Sequence, residues 1–193
     1  MRLKRKIAPI VEVGGGGVPD PVFSHMLNHV LSYGQSLSTG TQAYPAISTS
    51  QAYSNLRFVG GVRPQDNQRT GPTGFLEPGG SAATWYTSLV PLIETPYEWQ
   101  EDAFLGETPC SGTTNMIVQL IADEEGIAYN QHDYKFLASA PGQGGYSVAQ
   151  LSAGTVPYLR MIEHVTYGLL RASEIGKTYS AQSVNVVCSS GDK

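Results

Sequence analysis

Residues 28–40 read NHVLSYGQSLSTG, a mostly apolar run that stops at Gly34 and delivers a serine two residues later. A short apolar stretch halted by glycine is how a strand buried on both faces looks in sequence. Gly34 permits a sharp turn, which leaves Ser36 exposed at the strand end with its own N–H available to an oxyanion. A second stretch repeats the plan. YKFLAS at Tyr134–Ser139 reads as a strand and runs into Ala140-Pro141-Gly142-Gln143-Gly144-Gly145-Tyr146-Ser147. A glycine N–H there can supply another oxyanion donor, because no side chain blocks close approach.

Working outward, Ser111–Glu125 reads as a helix capped by Ser111 or Thr113, with Ile117, Leu120 and Ile121 on one face and Gly126 as its stop. A longer helical pattern covers Pro157–Glu174, with proline in its first turn and Leu159, Ile162, Leu169 and Leu170 on or near one stripe. Ser183–Cys188 (SVNVVC) reads as the last strand. Leu56–Val62 reads as another, inside an otherwise loop-rich region from Leu37 to Glu107. Strands alternating with helices predict an α/β fold whose mainly parallel sheet is covered on both faces. Active sites in such sheets form outside the carboxyl ends of the strands. Both glycine motifs fall there.

The bulk properties agree with one domain. The chain has 193 residues, 40% hydrophobic and 15% charged, which excludes a disordered polymer. Its 22 glycines and 12 prolines predict many turns and long loops. A formal net charge of −4 argues against a general nucleic-acid binder. The basic opening at Arg2, Lys4, Arg5 and Lys6 is followed by no continuous apolar region, since Pro9, Glu12 and Gly14–Gly17 interrupt it. It therefore reads as a solvated leader instead of a signal peptide, and no compartment follows from it. Residues 1–22 form this glycine-rich leader and 23–193 the domain. No apolar stretch is long enough to span a membrane. Cys110 and Cys188 lack metal-binding spacing; a single disulfide between them is open, two cysteines make no disulfide scaffold, and buried free thiols are the default reading.

Taken alone, a strand followed by Gly-Gln-Ser is either a nucleophile site or an ordinary turn. Ser38 occupies the place of the second glycine of a G-x-S-x-G elbow, and no Gly-Lys-Ser/Thr is present to make a phosphate loop. The pairing of the two motifs after parallel strands favours the catalytic reading.

GQSLSTG resembles the first block of the SGNH hydrolases, in the branch similar to sialate O-acetylesterases. FLASAPGQGGYSVAQLSAGT resembles that branch's second block, where Gly-Gly precedes a small hydroxyl residue. The matching span runs from Asn28 to Cys188. The resemblance implies a flavodoxin-like three-layer α/β/α fold, incomplete at its carboxyl end. It makes Ser36 the nucleophile and an oxyanion donor, Gly145 a second donor, and Gly144 the lesser candidate for that role. It also implies hydrolysis of O-acyl esters, often acetyl groups on carbohydrate, with no metal or organic cofactor. In that branch a Gln-Gly-Glu motif follows the strand aligned with SVNVVC, and an Asp-x-x-His comes later. Here the text is Cys188-Ser189-Ser190-Gly191-Asp192-Lys193, without either. The chain as given is accordingly expected to show little or no esterase activity.

The four histidines are poor substitutes for the missing base. His25 and His29 would share a face only if the segment were helical, and no third metal ligand is apparent. His132 reads as a surface-turn residue and His164 as a helical residue with a structural partner. Trp85, Tyr86, Tyr97 and Trp99 either stack on sugars or cover the core. Three functions are open: a serine esterase, a non-catalytic carbohydrate-binding or structural module of phage type, and an acyl transferase onto sugar. The expected partner is a small-molecule or carbohydrate ester, with no nucleic acid; the oligomeric state is left open.

Overall fold

A computed structural model describes residues 25–64, 82–94, 97–100, 103–131 and 133–187. The expected leader, His132 and Cys188 lie outside these residues. Strand β1 (Met26–Gly34) opens the described chain, followed by β2 (Leu56–Phe58), a short helical turn α1 (Ala82–Trp85) and β3 (Leu89–Pro91). A two-stranded ribbon, β4 (Tyr97–Gln100) and β5 (Ala103–Leu105), precedes helix α2 (Pro109–Glu125). Then come β6 (Lys135–Ser139), α3 (Val156–Glu174) and β7 (Thr178–Val187).

Five strands form one sheet in the order β3-β2-β6-β1-β7. β1 pairs in parallel with β6 and β7, β2 pairs in parallel with β6, and only β3 runs antiparallel. The mainly parallel α/β sheet expected from the strand-helix alternation is therefore present. β1 lies inside it and is buried from Leu27 through Gly34. Its alternate residues feed two cores. Val30 joins Phe136, Ala138, Cys110 and Val118 under α2. Leu27 joins Leu137, Phe58, Tyr86 and Ala172 under α3. The two long helices thus cover opposite faces of the sheet, as side-chain alternation along a strand requires. Among the described residues, no helix is long and apolar enough to cross a membrane.

Several elements differ from their expected form. β2 ends at Phe58, because Gly60 and Gly61 turn the chain back and Gly61 bridges to Phe58. β7 starts at Thr178 rather than Ser183, its polar opening hiding a strand whose Tyr179 hydroxyl meets His29. The loop-rich region also holds α1, β3 and the β4–β5 ribbon, which are too short to leave a periodic signature.

Helix α2 is capped neither by Ser111 nor by Thr113. Thr108 is its N-cap, its side chain accepting from the Ser111 N–H, and Pro109 fills the first turn. Its buried row is Cys110, Thr114, Val118 and Ala122, while Leu120 is 61% exposed. α3 departs further. Its buried row is Pro157, Arg160, His164, Gly168 and Ala172, and Leu159, Ile162, Leu169 and Leu170 all face outward. Periodicity located the helix but picked the wrong face, because the inward row carries polar and small residues.

The start of α2 rests on a buried ion pair. Arg63 Nη1 stands 3.2 Å from Glu94 Oε2, with both side chains 1% exposed. Glu94 Oε1 also accepts from the Thr108 N–H at 3.0 Å, the Thr108 hydroxyl and the Ser111 hydroxyl. The carboxylate thus satisfies groups at the helix N-terminus, where negative charge is favoured. Removing one charge strands the other in the interior, at a cost of about 3–5 kcal/mol. Glu94→Gln is expected to lose stability on that scale, read as a lowered midpoint in urea unfolding with the slope unchanged.

Candidate functional site at the carboxyl edge of the sheet

β1 ends at Gly34, whose φ is +145°, and Ser36 opens the 3-10 turn Ser36–Thr39 immediately beyond. That turn is closed by backbone bonds from the Ser38 N–H to Gln35 and from the Thr41 N–H to Ser36, with the Ser38 hydroxyl also donating to the Gln35 carbonyl at 2.6 Å. Ser36 is half-buried. Its hydroxyl makes no hydrogen bond among the described residues.

The exit of β6 lies against this turn, as expected for neighbouring parallel strands. A Cβ on Gly142 would stand 2.7 Å from the Gly34 carbonyl oxygen and would collide with the Ser38 hydroxyl, so only glycine fits. The Gln143 N–H donates to the same Gly34 carbonyl at 2.8 Å, and Gln35 Nε2 donates to the Tyr146 carbonyl at 2.5 Å. Three contacts therefore lock the Gly-Gln-Ser turn to the Pro-Gly-Gln-Gly-Gly loop. Gly144 is half-buried and Gly145 exposed, the latter with φ +76°, a conformation that side-chain-bearing residues rarely adopt. Among the described residues, the N–H groups of Ser36, Gly144 and Gly145 donate to no carbonyl. The structure brings all three sequence-derived site residues to one edge of two adjacent strands.

Beyond Gly40 the chain is pinned to the segment that leads into α2. The Gly106 N–H donates to Gly40, the Glu107 N–H to Ala43, and the Glu107 carboxylate accepts from the backbone N–H groups of Ile47 and Ser48. The turn that carries Ser36 is thus held at both ends.

None of the described histidines stands at this edge. His25 is exposed at the amino end of β1, the opposite edge from Ser36. His29 points into the core between the Ser139 hydroxyl and the Tyr179 hydroxyl, each at 2.7 Å, and burial lowers its pKa to about 3. A strand places it there, which removes the helical His25–His29 pairing. His164 is packed edge-on against Phe58 and Tyr86, and burial holds its pKa well below the ordinary value, with His29 and Arg160 adding to the shift. Both side chains are neutral structural groups. Trp85 and Tyr86 belong to the core, Tyr86 stacking on Tyr167 at 4.5 Å, whereas the side chains of Tyr97 and Trp99 lie outside the described set. Cys110 is a buried free thiol, its pKa pushed up to about 12 by desolvation and then by Glu94. Among the described residues, no three His, Cys, Asp or Glu side chains converge on a metal position.

Two supporting residues escaped the sequence reading. Arg160 and Gln143 are both buried, and Arg160 donates to the loop at Gly142 and Gln143. The available signal was an arginine in phase with Pro157 and His164 on a helix whose leucines fall elsewhere. Comparisons with protein-family models, curated proteins and solved structures return no match to this chain.

Two outcomes test this geometry. Gly142→Ala forces atoms into the Gly34 and Ser38 contacts and is expected to cost about 1–3 kcal/mol in urea unfolding. The sealed histidines make stability pH-dependent. The unfolded chain takes up protons on them as pH falls through about 6.5, while the folded chain does not. Stability conferred by the neutral form is present above that pH and declines below it, by about 1.4 kcal/mol per pH unit for each histidine. Urea midpoints between pH 7.5 and 5 are expected to fall, and less steeply in His29→Gln; a flat profile would contradict the burial of neutral imidazoles.

Proposed function

We propose that this domain carries the nucleophile and oxyanion half of an SGNH-type serine esterase acting on O-acyl esters, in particular O-acetyl groups on carbohydrate. The observation that carries the reading is the juxtaposition of the Ser36 turn and the Gly142–Gly145 loop at the ends of adjacent parallel strands. Strand order supports it. The spatial order β6-β1-β7 corresponds to the 2-1-3 opening of the flavodoxin-like order 2-1-3-4-5 if β2, which precedes β6 in the chain and pairs in parallel with it, is counted together with β3 as an insertion.

In this reading Ser36 Oγ attacks the acyl carbonyl carbon as a general base takes its proton. The carbonyl oxygen becomes an oxyanion held by the N–H groups of Ser36 and Gly145, with Gly144 the lesser candidate. Collapse breaks the ester C–O bond, and the departing sugar hydroxyl receives the proton. Water then adds to the acyl-enzyme and releases the acid, returning a proton to Ser36. Serine is a weak nucleophile without a base. His25, His29 and His164 do not supply one, so the reading requires a base from outside the described residues.

That same requirement favours a second reading, a carbohydrate-binding or structural module that keeps the fold without turnover. The two separate on p-nitrophenyl acetate hydrolysis by the wild-type chain and Ser36→Ala, each with and without imidazole as an external base. Little turnover by either protein without imidazole, and turnover of the wild-type chain above the Ser36→Ala background once imidazole is added, is the expected result. Equal rates in the two proteins under both conditions would overturn the esterase reading in favour of binding.

A further inference from the structure

Arg160 is the charged member of the buried row of α3, at 5% exposure. Its Nη1 donates to the Gly142 carbonyl at 3.3 Å and to Gln143 Oε1 at 3.1 Å. The Gly142 carbonyl and the Gln143 N–H belong to one peptide unit. In a planar trans amide these two groups point in opposite directions. Arg160 therefore holds the unit from the helix side, and the Gly34 carbonyl holds it from the strand side at 2.8 Å. Rotating this plane would break both bonds and leave buried polar groups unpaired.

The next two residues are Gly144 and Gly145, which have no side chain to resist rotation. The directions of their N–H groups are therefore set by what holds the segment at its two ends, the clamped Gly142–Gln143 unit before them and the Tyr146 carbonyl after them, which accepts from Gln35 Nε2 at 2.5 Å. We propose that Arg160 is a positioning residue that fixes the Gly142–Gln143 peptide and so aims the Gly145 N–H at the oxyanion formed over Ser36. This rests on the esterase reading and adds to it a residue that never touches substrate. Charge alone does not do this work. A lysine keeps the charge but ends in a compact, strongly hydrated ammonium without the planar, pre-organised donors of a guanidinium.

The experiment compares wild-type, Arg160→Lys and Arg160→Ala full chains by two readouts. Hydrogen exchange at the Gln143 amide is measured by NMR beside the amides of β1. Ser36-dependent hydrolysis of p-nitrophenyl acetate is measured with imidazole present, as kcat and KM separately. Expected are faster exchange at Gln143 with β1 unchanged, and a fall in kcat of about ten- to hundred-fold at nearly constant KM. Millimolar guanidinium is expected to restore part of the kcat of Arg160→Ala but none of that of Arg160→Lys, whose side chain fills the site. If Arg160→Ala does not fold, Arg160→Lys carries both comparisons. Ser36-dependent turnover with either readout at its wild-type value in the variants would overturn the role of Arg160 and leave the esterase reading standing. Equal turnover by wild-type and Ser36→Ala would instead remove the esterase reading, and the oxyanion role of Arg160 with it.

Discussion

The backbone contact between Gly34 and Gly142 is the constraint on which the site depends. Two strands end side by side, and the carbonyl of one accepts the N–H that follows the other, at 2.8 Å. A methyl group at Gly142 would push them apart. Ser36 lies two residues past one partner and Gly145 three residues past the other, so a small displacement at the contact is carried directly to both. Parallel pairing of β1 with β6 sets the register that makes the contact possible, Leu31 standing opposite Ser139. The sheet thus acts as a ruler, and the glycine contact is where its measurement is used.

A second constraint works at longer range. The Arg63–Glu94 pair is sealed from water and ties the segment after β2, the segment after β3 and the first turn of α2 to one another. An apolar cluster could fill this volume with no desolvation penalty. The ionic version adds direction: each oxygen of Glu94 has its own donors, so α2 starts at one residue and in one orientation. Because α2 covers β1 and β6, that orientation bears on the same strands that present Ser36 and Gly142.

How much of this was legible in sequence follows from the physics of each element. β1 and β6 were readable because a strand covered on both faces is mostly apolar, although β1 also buries Asn28, His29 and Ser32. The glycine motifs were readable because a strand end that has to approach another backbone tolerates no side chain. The inward face of α3 was not. Arg160 and His164 are tolerated inside because the loop and the aromatic core receive them, and hydropathy counts neither hydrogen bonds nor edge-on ring contacts. The N-cap of α2 was readable in principle, since Thr108-Pro109 is a cap followed by a first-turn proline. The short strands β3, β4 and β5 were not, because three or four residues cannot establish alternation. The clamp by Arg160 needed coordinates, being a contact between α3 and a loop 17 to 18 residues earlier.

The two borders of the sheet differ in a way that gives it a polarity. On one side the described sheet closes with β3, three residues long, antiparallel and ending in Pro91. Shortness and proline are both features that discourage further pairing. On the other side it ends with β7, ten residues matched to β1 along most of their length, with no proline and no charge in TYSAQSVNVV. Among the described residues, then, the features that discourage pairing sit on the β3 border alone, which places β1 and the Ser36 turn toward the border that lacks them.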